Sequence, residues 1–277
     1  MDFSPLENNL PPDLKPRWEA LLEQFRHFGS AIVAFSGGVD SGLLCAAAWR
    51  VLGQRMLAVT VRSPIDAMGD RTSAQTLAAQ VGFPLRVLDY DDLTNPEFVS
   101  NPPNRCYVCK RMRFGQLQEL AAKEGYAVVV EGSNADDLSD YRPGHQAVIE
   151  TGGVSPLQDL GFTKSEIRAL AKALGLSVWD RPSAPCLATR FPYGSPVTLR
   201  GLEQIAEGER YLHELGFKAV RVRHHEQLAR IEVAPDEIKH VASLHQTIAE
   251  FFKSLGFHYV AVDLSGYRRG SLNEVLS

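Results

Sequence analysis

Four short apolar runs, separated by stretches of helical length, fix most of what this chain can fold into. They lie at 31–35 (AIVAF), 56–61 (MLAVTV), 85–88 and 127–130 (AVVV), with helical patterns at about 41–52, 66–81 and 110–124 between them. Runs of this kind read as strands buried on both faces, and strands that alternate with helices pair in parallel. The expected fold is therefore α/β, a parallel sheet with helices on both faces. After Pro192 the pattern changes to a helix at 199–215, strands at 219–223 and 229–233, a helix at 236–255 and a strand at 259–264. That tail reads as a small α+β domain. The boundary falls in the Pro- and Gly-rich stretch between Arg181 and Pro196, giving domains 1–190 and 191–277.

Composition narrows the function classes. Hydrophobic residues make up 44% and charged residues 22%, and no apolar run approaches the roughly 18 residues of a spanning helix. Residues 1–15 are polar and Pro-broken, unlike a secretory signal, so a cytoplasmic, non-membrane protein is expected. The net charge of −4 lacks the bulk positive footprint of a protein that holds long nucleic acid. Four cysteines are too few for a disulfide framework. The sequence TKSE at 163–166 reads as a capping box with Thr163 as N-cap and Glu166 at N3, a structural feature that opens a helix through Leu174.

The loop Ser36-Gly37-Gly38-Val39-Asp40-Ser41 follows the first strand and opens a helix. Amides and helix dipole at that position attract an anion, two glycines allow close approach, and Ser36 and Ser41 add hydroxyls. Asp40 is the candidate ligand for a magnesium ion bridging phosphate oxygens. The loop has no lysine and is not a Walker A motif.

Cys106 and Cys109 form a CxxC ahead of the predicted 110–124 helix, and Cys186 lies in PSAPCLATR. Such a pair suits a redox disulfide, half a zinc site or part of an iron–sulfur cluster; a closed zinc site needs a fourth ligand, for which His145 is the nearby candidate. Three thiolates suit a [4Fe–4S] cluster with one open iron. Cys45, on the apolar face of the loop helix, reads as a buried hydrophobe. Sulfur beside a phosphate-binding loop suits sulfur insertion, in which a persulfide, thiolate or hydrosulfide attacks an activated carboxylate.

The motif SGGVDS resembles the PP-loop of ATP pyrophosphatases, with their adenine nucleotide alpha hydrolase-like fold. That resemblance implies ATP binding, adenylation of a substrate, release of pyrophosphate, and an adenine near residues 60–63. The segments 131–144 (EGSNADDLSDYRPG), 181–194 (RPSAPCLATRFPYG), 220–233 (VRVRHHEQLARIEV) and 263–276 (DLSGYRRGSLNEVL) resemble the LarE family. That resemblance implies thiolation of both carboxylates of pyridinium-3,5-biscarboxylic acid mononucleotide, on the route to the nickel-pincer nucleotide of lactate racemase. It also implies a homo-oligomer and, from Cys106, Cys109 and Cys186, the cluster-dependent, sulfide-using type rather than sacrifice of the Cys186 sulfur. Arg221 and Arg223, two apart on a strand, and Arg268 or Arg269 are candidate ligands for the substrate phosphate. Arg190 is expected near the thiolates or a carboxylate, and Glu131 at a metal or ribose. Asp136, Asp137 and Asp140 are weaker loop candidates, while His224 and His225 read as an exposed turn. The competing functions are a PP-loop tRNA thiolase, disfavoured by the acidic balance, and an ammonia-using adenylating synthetase.

Overall fold

The structure, a computed structural model, describes all residues except 1–2, 9, 67–69, 140–142, 183–184, 269 and 277. Strands β1 (Ala31–Ala34), β2 (Met56–Arg62), β3 (Leu85–Asp89) and β4 (Val128–Val130) form one sheet in the order β3-β2-β1-β4, with every pair parallel. Successive residues of β1 face opposite layers. Ala31 and Val33 pack with Leu43, Leu44 and Ala47 of the helix Val39–Leu52, whereas Ile32 packs with Phe114, Leu117 and Ala121 of the helix Arg105–Glu124. Helices on both faces explain why the strands carry no polar alternation.

The strand order also fixes where a ligand can sit. From β1 the chain runs outward through β2 to β3, then returns to place β4 on the other side of β1. Loops leaving the carboxyl ends of β1 and β4 therefore diverge at a topological switch point, where open α/β sheets bind ligands. Those loops carry Ser36–Ser41 and Glu131–Asp137.

The chain divides into two compact units. The first comprises 1–63, 68–90 and 106–184, and the second comprises 64–67, 91–105 and 185–277. The second unit holds the sheet β5 (Arg221–His225), β6 (Leu228–Glu232) and β7 (Tyr259–Val262), antiparallel between β5 and β6 and parallel between β6 and β7. The helices Leu199–Glu214 and His245–Ser254 supply Leu212, Ile248 and Phe252 to its core.

Three local expectations are corrected. The cysteine-bearing helix starts at Arg105, not Lys110: Pro102 offers its carbonyl to the Arg105 amide, and Val108 is already a core contact, so the CxxC lies inside the first five residues of the helix. His224 and His225 end β5 rather than forming a turn; Glu226, at φ 54°, and Gln227 make the two-residue connection. The 236–255 helix is broken at Leu244 into Ile238–Ser243 and His245–Ser254. The capping box forms as expected, with the Thr163 side chain accepting from the Glu166 amide and the Glu166 carboxylate accepting from the Thr163 amide.

Candidate active site

The loop after β1 is organised by short-range geometry. Gly37 has φ 75°, a conformation that side-chain-bearing residues avoid. The Ser36 and Ser41 hydroxyls lie 3.1 Å apart, and the Ser36 amide donates to Ser41 Oγ at 3.3 Å. Gly38 is the N-cap of the helix Val39–Leu52 and gives no side-chain cap, so the first-turn amides retain donors for an anion. Arg181, outside the motif, donates from Nη1 to the Gly37 carbonyl at 2.7 Å.

Asp40 is ion-paired with Lys164, and its other oxygen accepts from Asn134 Nδ2 at 3.2 Å. Asn134 belongs to the loop after β4, which comes close enough that a Cβ on Gly132 would lie 3.0 Å from both Asp40 Cβ and the Ser41 amide nitrogen. Backbone cannot yield as a flexible side chain does, so Gly132→Ala would overpack the loop by about 1–3 kcal/mol. The expected result is ATP affinity about tenfold to a hundredfold lower with a small change in melting temperature, read by calorimetric titration beside thermal unfolding. Unchanged affinity would remove this loop from the site.

Glu131 is buried and salt-bridged to Lys110 at 2.8 Å, and it accepts from Ser155 Oγ at 2.7 Å and the Ser133 amide at 3.0 Å. Burial alone would raise its pKa, but the Lys110 charge and these hydrogen bonds outweigh it and bring the carboxyl down to about 2. Lys110 follows Cys109 on the helix Arg105–Glu124, so Glu131 ties the end of β4 to the cysteine-bearing turn. Cys106 is exposed and Cys109 half-buried, three residues apart on that turn and on one helix face. Cys45 is fully buried, which pushes its thiol up.

Asp136 accepts from the Lys164 amide at 2.9 Å and Asp137 from the Asn134 amide at 3.1 Å, so both loop acids serve the local backbone. Asp140 and Arg269 lie outside the described residues. Thr60, expected near the adenine, donates to the Phe35 carbonyl at 2.8 Å, and Ser63 is buried just beyond β2. His145 has a buried Nδ1 without a hydrogen-bond partner and joins no metal-binding group of three or more His, Cys, Asp or Glu among the described residues.

In the second unit Cys186 is half-buried and precedes a single 3-10 turn, Leu187–Arg190. Arg190 is buried, salt-bridged to Glu209 at 2.8 Å, and donates to the carbonyls of Pro185 and Cys186. It braces the backbone around Cys186 rather than lying on the surface. Arg223 donates to both oxygens of Glu232, to the Thr189 carbonyl and to Ser271 Oγ. Arg268 pairs with Glu274 at the surface. Arg221 makes no ion pair among the described residues; its guanidinium lies 4.9 Å from the Tyr267 ring centroid, and burial together with the Arg190 charge pulls it below the usual arginine range. Of the two arginines expected to form a fork, Arg223 is held by Glu232, whereas Arg221 lies against Tyr267. His224 stacks on Phe191 at 4.9 Å, and burial lowers its pKa.

Lys110, Asn134, Ser155, Lys164 and Arg181 carry no functional expectation from the sequence, yet each binds a candidate residue: Lys110 and Ser155 hold Glu131, Asn134 and Lys164 hold Asp40, and Arg181 holds Gly37.

A Gly-rich loop at the switch point of a parallel sheet, with serines, an acid and an uncapped helix start, defines a PP-loop nucleotide-binding domain. The profile of the NAD synthase family matches residues 20–186, more than half of the chain. An uncharacterized protein of Synechocystis is 42% identical over 95% of this chain and 99% of its own length. The pyridinium-3,5-bisthiocarboxylic acid mononucleotide synthase of Lactiplantibacillus plantarum is 37% identical over 93% of this chain and 94% of its own. One component of the glutamine-hydrolysing GMP synthase of Methanococcus maripaludis is 30% identical over 52% of this chain and 50% of its own. The chain belongs to the LarE family of PP-loop proteins. Among the described residues no helix is long and apolar enough to cross a membrane.

Proposed function

We propose that this protein is an ATP-dependent sulfurtransferase that converts the two carboxylates of pyridinium-3,5-biscarboxylic acid mononucleotide to thiocarboxylates. The observation that carries the reading is the near full-length similarity to the Lactiplantibacillus plantarum synthase, joined to an SGGVDS loop and three cysteines. A substrate carboxylate oxygen attacks the α-phosphorus of ATP, the bond to the β-phosphate breaks, and pyrophosphate leaves. Hydrosulfide then attacks the acyl carbon, the acyl–oxygen bond breaks, and AMP departs, leaving a thiocarboxylate and a proton.

The residues of this chain take definite parts in that sequence. Ser36, Gly37, Gly38 and Ser41 offer amides and hydroxyls to the departing pyrophosphate, where charge grows as the α–β bond breaks. Arg221 takes the substrate phosphate, and Arg190 fixes the turn that carries Cys186. Glu131 orients Lys110 beside the cysteine-bearing turn.

Two cofactors belong to the proposal. Magnesium needs one or two carboxylates plus phosphate oxygens, and Asp40 fits that requirement with its carboxylate at the loop; when bound, the ion neutralises phosphate charge. The donor chemistry of Cys106, Cys109 and Cys186 fits a [4Fe–4S] cluster, which when bound supplies an open iron for sulfide. No group of three or more His, Cys, Asp or Glu converges among the described residues, so no step is assigned to iron.

The test is an anaerobic assay with ATP, magnesium, the biscarboxylate mononucleotide and sulfide, following pyrophosphate and product mass. Thiocarboxylate formation supports the reading, and Cys186→Ala is expected to abolish it while pyrophosphate release continues. An amide formed from ammonia, with no thiocarboxylate from sulfide, would move the chain to an ammonia-using adenylating synthetase. Iron analysis completes the test: about four irons per chain, lost in Cys106→Ala, are expected for a cluster, and an iron-free active enzyme would remove it.

A further inference from the structure

Two glycines side by side make the softest peptide unit a chain can carry. In the loop after β1 the unit joining Gly37 to Gly38 has no Cβ on either flank, so its plane turns over at little steric cost. Its orientation decides what the loop offers. A trans peptide points its carbonyl and its N–H in opposite directions, and every peptide bond among the described residues is trans. One edge of the unit therefore donates to an anion and the other repels it.

The carbonyl edge is taken. Arg181 donates from Nη1 to the Gly37 oxygen at 2.7 Å, across 144 residues of sequence. Gly37 keeps φ 75°, and Gly38 is extended at φ −86° and ψ 171° before the helix Val39–Leu52 begins. With the carbonyl drawn to the guanidinium, the Gly38 N–H is sent the other way, and it has no acceptor among the described residues. The arginine is itself held from behind. Arg168, on the helix Lys164–Ala173, donates to the carbonyl of Trp179 at 2.7 Å and to that of Arg181 at 2.8 Å, and Lys172 of the same helix lies 4.6 Å from the Trp179 ring centroid. We propose that Arg181 is a positioning residue for pyrophosphate: by holding the Gly37 carbonyl it keeps the Gly37–Gly38 peptide from turning over and leaves the Gly38 amide to the phosphate. Its guanidinium acts through the peptide and not on the nucleotide. In the turned-over unit the carbonyl oxygen would face the anion, so that a donor becomes an acceptor and attraction becomes repulsion. A donor fixed in advance needs no reorganisation when negative charge grows on the departing group.

This role rests on the reading of the loop as a pyrophosphate site. Selective 15N-glycine labelling of the full chain follows the Gly37 and Gly38 amides in the wild type, Arg181→Met and Arg181→Lys, while calorimetry measures the binding of inorganic pyrophosphate and of AMP, each with magnesium. In the wild type both signals are expected to be sharp, and that of Gly38 to move when pyrophosphate is added. In Arg181→Met, exchange broadening on the microsecond-to-millisecond scale is expected at these two glycines, with pyrophosphate bound about tenfold more weakly and AMP unchanged. Arg181→Lys, which keeps a donor for the carbonyl, is expected to recover most of both. Arg168→Met loosens Arg181 without removing it and serves if Arg181→Met does not fold; milder broadening at the same two glycines is expected, and its absence counts against the proposal. Weaker pyrophosphate binding with sharp Gly37 and Gly38 signals would make Arg181 a direct ligand, broadening spread over remote glycines would make it a support of the fold, and unchanged affinity would leave the peptide orientation without consequence; each overturns the proposal. A wild type that binds neither pyrophosphate nor AMP would instead overturn the reading of the loop.

Discussion

Glu232→Ala is expected to cost about 3–5 kcal/mol of stability, because it strands a buried guanidinium. Glu232 is 1% exposed and receives Arg223 through both oxygens, at 2.9 and 2.8 Å, with Arg230 on Oε1 at 3.1 Å. Arg230 is half-exposed and keeps Asp263 at 3.3 Å, so it tolerates the loss. Arg223 would keep only the Thr189 carbonyl and the Ser271 hydroxyl, neutral partners for a charge that burial has stripped of water. Urea unfolding of the wild type, Glu232→Ala and the double variant Arg223→Met/Glu232→Leu measures this directly. The double variant, with neither charge, is expected to be more stable than Glu232→Ala. A single variant that loses less than about 1 kcal/mol would show that water or a rearranged side chain reaches Arg223.

The same pair shows how far the sequence can be read. Arg221 and Arg223 share a strand face, and a phosphate fork is a fair expectation from that spacing. Nothing in the spacing says that Glu232 lies across the hairpin from Arg221 and beside Arg223. Pattern-level features are legible because they are local: the four parallel strands, the loop geometry around Gly37 and the capping box depend on neighbours in sequence. The start of the cysteine-bearing helix is obscured because its first residue, Arg105, is a buried charge and its first buried apolar residue, Val108, sits between the two cysteines that stand out as ligands. Lys164 is visible as part of the capping box but not as a partner of Asp40, since that contact spans 124 residues. The usable signal is its sign, a lysine placed where the helix dipole disfavours one. Asn134 and Ser155 carry no such signal.

The acid limb of stability is expected to report on Glu131. Its carboxyl ordinarily titrates near 4.5 and is brought down to about 2 in the fold, so the folded state binds fewer protons than the unfolded state between those values. Stability from this group is therefore complete above about pH 4.5 and drains away as the pH falls toward 2. The difference corresponds to about 3 kcal/mol at neutral pH, to order of magnitude. Glu131→Gln keeps the shape and the Ser155 contact but cannot titrate, so it should be less stable than the wild type at pH 6 and approach it as the pH falls. Urea unfolding at pH 6, 4.5 and 3.5 resolves the convergence. Parallel curves for the two proteins would mean that Lys110 and the Ser133 and Ser155 donors do not hold the carboxylate charged. The outcome bears on function as well as folding, because the salt bridge orients the lysine that follows Cys109. Ser155→Ala removes one of the donors and should shift the wild-type acid limb upward in pH, a graded result that loss of packing alone would not give.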